Sequence, residues 1–268
     1  MNKRNMTIIG IIVALLLVGG GIFAFTRVRS KPAEQAQTEP KKKRKADSLN
    51  IIPVSERPFI EIIPQSSGRN VLISFNEVKK PADQVEYELE YQAGELLQGA
   101  FGELALSALP VTKDILFGSC SAGGACTYHR DVKGGSLLTR YTGPENYALK
   151  SEWKYFENTT RETEYSSKDA KFQIESKDLA TQRHLVIFNS PGYPKSPTGT
   201  VISEVYSLTT SSPLKGKASI IIRASEAATT AVISAWNGRS WQEFPAKGDG
   251  KSFTAEVDLL PLYLVLKK

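Results

Sequence analysis

The sequence is poor in the side chains that carry most enzyme chemistry. Its 268 residues hold two histidines and two cysteines, and no GxSxG, HExxH, Walker or dinucleotide-binding glycine pattern accompanies them. Those absences exclude the common hydrolase, metalloprotease, nucleotide-triphosphatase and dehydrogenase signatures. The chain reads as non-catalytic, with no cofactor and no metal expected. No stretch beyond residue 30 sustains a long 3.6-residue apolar period, which excludes a helical bundle. Positive charge is missing where a nucleic-acid-binding domain would need it. The net charge is +6, but residues 1–50 carry ten Lys/Arg against three Asp/Glu, leaving 24 against 25 for residues 51–268. Phosphate binding draws on a basic face, so no nucleic-acid partner is expected of the folded part.

One long apolar run is present. Residues 7–25, TIIGIIVALLLVGGGIFAF, form nineteen residues without a charge. As a helix they span roughly 28 Å, close to the bilayer's hydrocarbon thickness of about 30 Å. A secretory signal has a shorter apolar core and ends in small residues, whereas this run ends in Phe23-Ala24-Phe25. The expectation is a short cytoplasmic segment over 1–6 and a single transmembrane helix over 7–25, with the lipid bilayer as its partner. Residues 26–55 are expected to be a disordered basic linker, since they are mostly too polar to offset ordering entropy.

Within that linker stands PKKKRK, residues 40–45. Lys41, Lys42, Lys43, Arg44 and Lys45 read as a charged collar attracted to anionic lipid or anionic cell-wall polymer, at about 1 kcal/mol per cation near such a surface. The hexapeptide also resembles a monopartite nuclear localisation signal, which leaves open a nuclear-envelope or nucleic-acid-binding protein. Eight Lys/Arg follow the apolar run and only Lys3 and Arg4 precede it. That count favours a cytoplasmic C-terminus, whereas a long polar domain translocates largely regardless of charge. The adopted reading is a single-pass cell-membrane protein with its C-terminal domains extracytoplasmic.

Beyond residue 56 the pattern becomes one of short alternating segments separated by turn residues. In VEYELEY, Val85, Tyr87, Leu89 and Tyr91 share one face, and Glu86, Glu88 and Glu90 share the other. This is a half-buried antiparallel strand. The spacing predicts further strands over 70–78, 113–120, 135–141 and 147–153. About eight more are predicted between 171 and 267. Residues 156–169 are polar and short of apolar side chains, and a domain boundary falls there. The expected fold is mostly β, with two antiparallel immunoglobulin-like β-sandwich domains over 56–158 and 165–268. Asn237-Gly238 predict a tight hairpin turn that brings Trp236 and Trp241 together across two strands.

VEYELEY resembles strands of fibronectin type III and related modules. WNGRSWQEF followed by SFTAEVDLLPLYLVL is similar to the final sandwich domain of many bacterial membrane-anchored envelope proteins. The resemblance implies a secreted or surface-displayed β-sandwich and carries no functional residues over. The Cys…Trp…Cys spacing of immunoglobulin domains is absent.

LFGSCSAGGACTYHR places Cys120 and Cys126 on either side of a five-residue loop between strand-like segments. Paired strands would bring their Cα atoms within the roughly 4.4–6.8 Å that a disulfide needs, and an oxidising compartment suits such a bridge. Two other uses stay open at this point. Cys120, Cys126 and His129, with Asp131, are a sparse metal set. A thiol-dependent enzyme or redox module would use Cys120 or Cys126 as nucleophile. His184 lies in the apolar strand HLVIF, where packing suits it better than catalysis. The loop SPGYPKSPTGT (190–200) presents Tyr193 as a ligand-contact candidate alongside Trp236 and Trp241. The functional expectation is surface binding, adhesion or envelope structure, with another surface protein or a glycan as partner.

Overall fold

A computed structural model describes residues 48–248 and 250–268, and they are built almost entirely of antiparallel strands. The first half contains β1 (Phe59–Pro64), β2 (Asn70–Glu77), β3 (Gln84–Ala93), β4 (Leu96–Ala105) and β5 (Val111–Leu116). A short hairpin follows, β6 (Gly118–Cys120) and β7 (Cys126–Tyr128), then the long β8 (Val132–Thr142) and β9 (Tyr147–Glu157). The second half begins with β10 (Glu164–Ser166), β11 (Phe172–Glu175), β12 (His184–Ser190), β13 (Thr200–Val201) and β14 (Val205–Thr210). It continues with β15 (Lys217–Arg223), β16 (Ala231–Trp236), β17 (Trp241–Pro245), β18 (Ser252–Asp258) and β19 (Leu262–Lys267). Among the described residues the helical elements are two short 3-10 turns, Val54–Glu56 and Lys177–Thr181.

The main sheet has ten strands in the order β17-β16-β19-β14-β12-β9-β8-β3-β4, with β13 beside β19. A three-stranded sheet, β1-β2-β5, and a four-stranded sheet, β10-β11-β15-β18, cover parts of it. β12 shows how they are arranged. Successive side chains of a strand point to opposite faces. Val186 and Phe188 enter a core with Ile60, Ile73 and Phe75 of the three-stranded sheet, whereas Leu185 and Ile187 enter one with Phe172, Ile220 and Phe253 of the four-stranded sheet. The two cores therefore lie on opposite faces of one shared sheet. Each fully buried Ile or Phe contributes about 1.5–3 kcal/mol, so β12 anchors both halves at once.

Double coverage explains the burial patterns. β12 and β19 are almost wholly buried and read as continuous apolar runs. On β19, Tyr263 and Val265 face the second core. Leu262, Leu264 and Leu266 face a third cluster with Phe59, Tyr193 and Trp236. β3 is covered on one face and alternates, with Val85, Tyr87, Leu89 and Tyr91 buried.

The sequence divides the chain between 158 and 165. In the structure the main sheet runs across that division through β9–β12 pairing, Glu157 lying opposite His184 and Trp153 opposite Phe188. The expected linker also gives way to ordered chain before residue 55. Ile52 is buried, and the Asn50 side chain accepts from Lys150 N and donates to Lys150 O along the part of β9 that β12 does not reach. The Trp236–Trp241 hairpin forms, with residues 237–240 as its loop. Only Gly238 takes positive φ, and the Asn237 carboxamide oxygen accepts from the N–H groups of Arg239 and Ser240. An asparagine side chain that caps its own turn takes the place of the positive φ expected at Asn237.

Candidate functional site

Cys120 and Cys126 form a disulfide across the β6–β7 pair, and no described cysteine is free. The hairpin is exposed, and its loop is closed by Ser121 N–H donating to Ala125 O and Gly124 N–H donating to Ser121 O. With both sulfurs oxidised, neither is a thiolate nucleophile. His129 turns away from them, its Nδ1 lying 3.0 Å from the Tyr91 hydroxyl. Among the described residues no group of three His, Cys, Asp or Glu is placed to hold a metal ion. His184 is 5% exposed, 2.9 Å from the Tyr155 hydroxyl and flat against that ring. Burial lowers its pKa, with Glu157 opposing and Arg183 adding to the shift. This histidine is packed, and burial favours its neutral form.

The three aromatic candidates do come together, as packing. Trp236 and Trp241 are 5.5 Å apart by ring centroid, and Tyr193 meets Trp241 edge-on at 6.2 Å. Tyr193, expected on an open loop, is only 4% exposed. The loop folds over the tryptophans, the Trp241 indole N–H donates to Lys195 O, and Lys79 Nζ sits 3.8 Å from the centre of the Tyr193 ring. The Lys79 pKa is lowered by burial, with Glu77 opposing. This cluster seals the β17 end of the sheet. The collar residues Lys41, Lys42, Lys43, Arg44 and Lys45 and the apolar run 7–25 lie outside the described residues. Among the described residues no helix is long and apolar enough to cross a membrane.

The exposed apolar surface is at the other end of the sheet. β4 is its terminal strand, and Phe101 is 84% exposed, Leu96 66% and Leu97 65%. Single exposed apolar residues are ordinary; Leu97 and Phe101 share one face of this strand and Leu96 lies on the other. β4 pairs with β3 from Ala93↔Leu96 to Gln84↔Ala105 without a bulge. Its ten residues, LLQGAFGELA, include one charge, Glu103, and no proline.

The turn fixes which backbone groups are free. Ala93 and Leu96 close a two-residue loop with Gly94 at φ +57°. The closing pair of such a loop exchanges both backbone hydrogen bonds, and bonded and non-bonded pairs then alternate. The N–H and C=O groups of Leu97, Gly99, Phe101, Glu103 and Ala105 therefore point away from β3, where none of the described residues forms a strand. The same five residues put their side chains on the outer face. Small residues on the inner face have a local cause: a Cβ at Gly102 would lie 2.6 Å from the Tyr87 hydroxyl. β3 fills the space under β4 with that ring.

The outer face beyond Phe101 is polar and paired with itself. Phe101 stands opposite Glu88, which lies 3.6 Å from Arg140. Ser136 donates to Glu90, and Lys168 reaches both Glu152 and Gly135 O. A shallow depression of about 360 Å³ beside Leu97 is lined by Gln92, Lys133, Lys154 and Lys168. A cleft of about 430 Å³ near β10 contains Lys154, which donates to Ser166 Oγ, together with Glu164 and Glu175. The arrangement offers edge backbone groups and an apolar stripe, which suit docking of an extended chain. Comparisons with known protein families, with curated proteins and with solved structures find no match to this chain.

Proposed function

We propose that the protein is a non-catalytic binding protein of the cell envelope. The anchor at 7–25 and the basic collar at 41–45 hold it at the membrane, and its β-rich body works outside the cytoplasm. The open, apolar β4 edge carries this reading. A sheet left with a long, regular terminal strand carrying a single charge is prone to pair with foreign strands, and binding is the use that such an edge has. Two stacked-sheet cores support the immunoglobulin-like expectation, and the Cys120–Cys126 bridge suits an oxidising compartment. The contacts expected of Tyr193, Trp236 and Trp241 pass to Leu97 and Phe101 in this reading, because the aromatic trio is occupied by packing. Protease added to intact cells tests the topology. Cleavage of the body from the outside is the expected result, and protection until the membrane is breached would exclude it.

A further inference from the structure

The geometry points to a second copy of this chain as the occupant of the β4 edge, paired antiparallel about a two-fold axis centred on Phe101. This inference rests on the edge-binding reading and names its partner. A two-fold axis normal to the sheet keeps like faces together and matches the outward-pointing residues of one copy with those of the other. In the register that sets Phe101 against itself, Leu97 meets Ala105 and Gly99 meets Glu103. All five outward residues of each strand then exchange both backbone hydrogen bonds. A shift of two positions toward the turn leaves part of the free segment unpaired.

The side chains fit this register. Glu103 faces a glycine of the other copy, so no carboxylate opposes another. The two Glu103 side chains are four positions apart, roughly 14 Å, which exceeds the Debye length of about 8 Å at physiological salt. The two Phe101 rings, now mostly in water, become cross-strand neighbours with small residues beside them, since Gly99 flanks each ring along the strand. On the inner face Ala100 meets Gly102, where Tyr87 leaves no room for a larger side chain. The complementarity is of the strand with itself, and the interface is isologous, the form that closes a dimer instead of growing a fibre.

The register gives the test. Paired residues of this kind have Cα atoms about 5.5 Å apart, within disulfide range of about 4.4–6.8 Å. Full-length chains carrying Leu97→Cys are mixed in detergent with chains carrying Ala105→Cys under mild oxidation. Disulfide-linked mixed dimers are expected. Leu97→Cys alone gives none, because the two Leu97 positions lie roughly 27 Å apart. Ile221→Cys, on the outer face of the four-stranded sheet, gives none either. Sedimentation of the unsubstituted chain should show a dimer that Phe101→Lys reduces to monomer, at a site exposed enough to leave the fold intact. Absence of the mixed cross-link, or a dimer indifferent to Phe101→Lys, overturns self-pairing. If β4 instead captures a foreign strand and no Leu97–Ala105 link forms, self-pairing fails and edge binding stands.

Discussion

At one end of the main sheet β17 offers five residues. Pro245 among them has no N–H, Glu243 is tied to Lys268 at 2.7 Å, and Trp241 is locked under Tyr193 and the 190–200 loop. Just past β17, Lys247 exchanges both backbone hydrogen bonds with Thr254, which carries the chain onto the four-stranded sheet. At the other end β4 offers ten residues in unbroken register, with one carboxylate and three exposed apolar side chains. Short length, proline, charge and a covering loop are the usual defences of a sheet edge. One edge of this sheet has all four, and the other has a single charge, Glu103. The contrast supports the proposed use of the open edge: the chain contains every device needed to close an edge and applies them mainly at one end.

Substitution at matched aromatic positions breaks or sustains that contrast most forcefully. Trp236→Ala should cost about 3–5 kcal/mol in urea unfolding, since it empties a packed cluster. Phe101→Ala should stay within about 0.5 kcal/mol. Equal costs at the two ends would erase the distinction. Phe188→Ala, on the shared β12, should cost a similar 3–5 kcal/mol and leave a single unfolding transition, with tryptophan fluorescence and far-ultraviolet circular dichroism tracing the same curve. Two separated transitions would show that each half holds its own edge independently.

Removing the bridge should have a smaller effect. The Cys120–Cys126 loop has a sequence separation of six, so its constraint on the unfolded chain is worth about 2 kcal/mol at most. Double substitution to alanine should leave the near-ultraviolet signal of both cores unchanged. A collapse of that signal would place the hairpin within the core structure.

Acidity probes the middle of the sheet instead of its ends. Burial holds the folded pKa of His184 below its ordinary value near 6.5, so the unfolded chain binds the extra proton more readily. The stability from a neutral His184 is complete above pH 6.5 and declines as pH falls through the folded value. His184→Gln should flatten that decline in unfolding measured from pH 7.5 to 5. An unchanged slope would assign the acid sensitivity elsewhere. Phe101→Lys should have the smallest effect on monomer stability, close to zero, while abolishing association.

Much of the architecture was legible in the sequence. Alternation was enough to read β3, and HLVIF of β12 and LYLVLK of β19 were legible as strands. The disulfide was legible from two cysteines flanking a five-residue loop. The joining of both halves through β9 and β12 was not, because pairing across a polar segment leaves no trace in either strand's own periodicity. Tyr193 misled because burial of a loop depends on what lies beneath it, here two tryptophans and Lys79. The β4 edge went unseen for a related reason. LLQGAFGELA has glycines where a strand is expected to carry side chains, and the Tyr87 ring beneath Gly102 explains one of them. A strand's place at the end of a sheet is a property of its neighbours.

Backbone amide exchange across a concentration series tests the central contrast most directly. In dilute protein the N–H groups of Leu97, Gly99, Phe101, Glu103 and Ala105 should exchange as freely as surface amides, then gain protection as concentration rises, while β17 stays constant throughout. Protection of those five amides already at high dilution, or free exchange at every concentration, would contradict an open edge built to be filled.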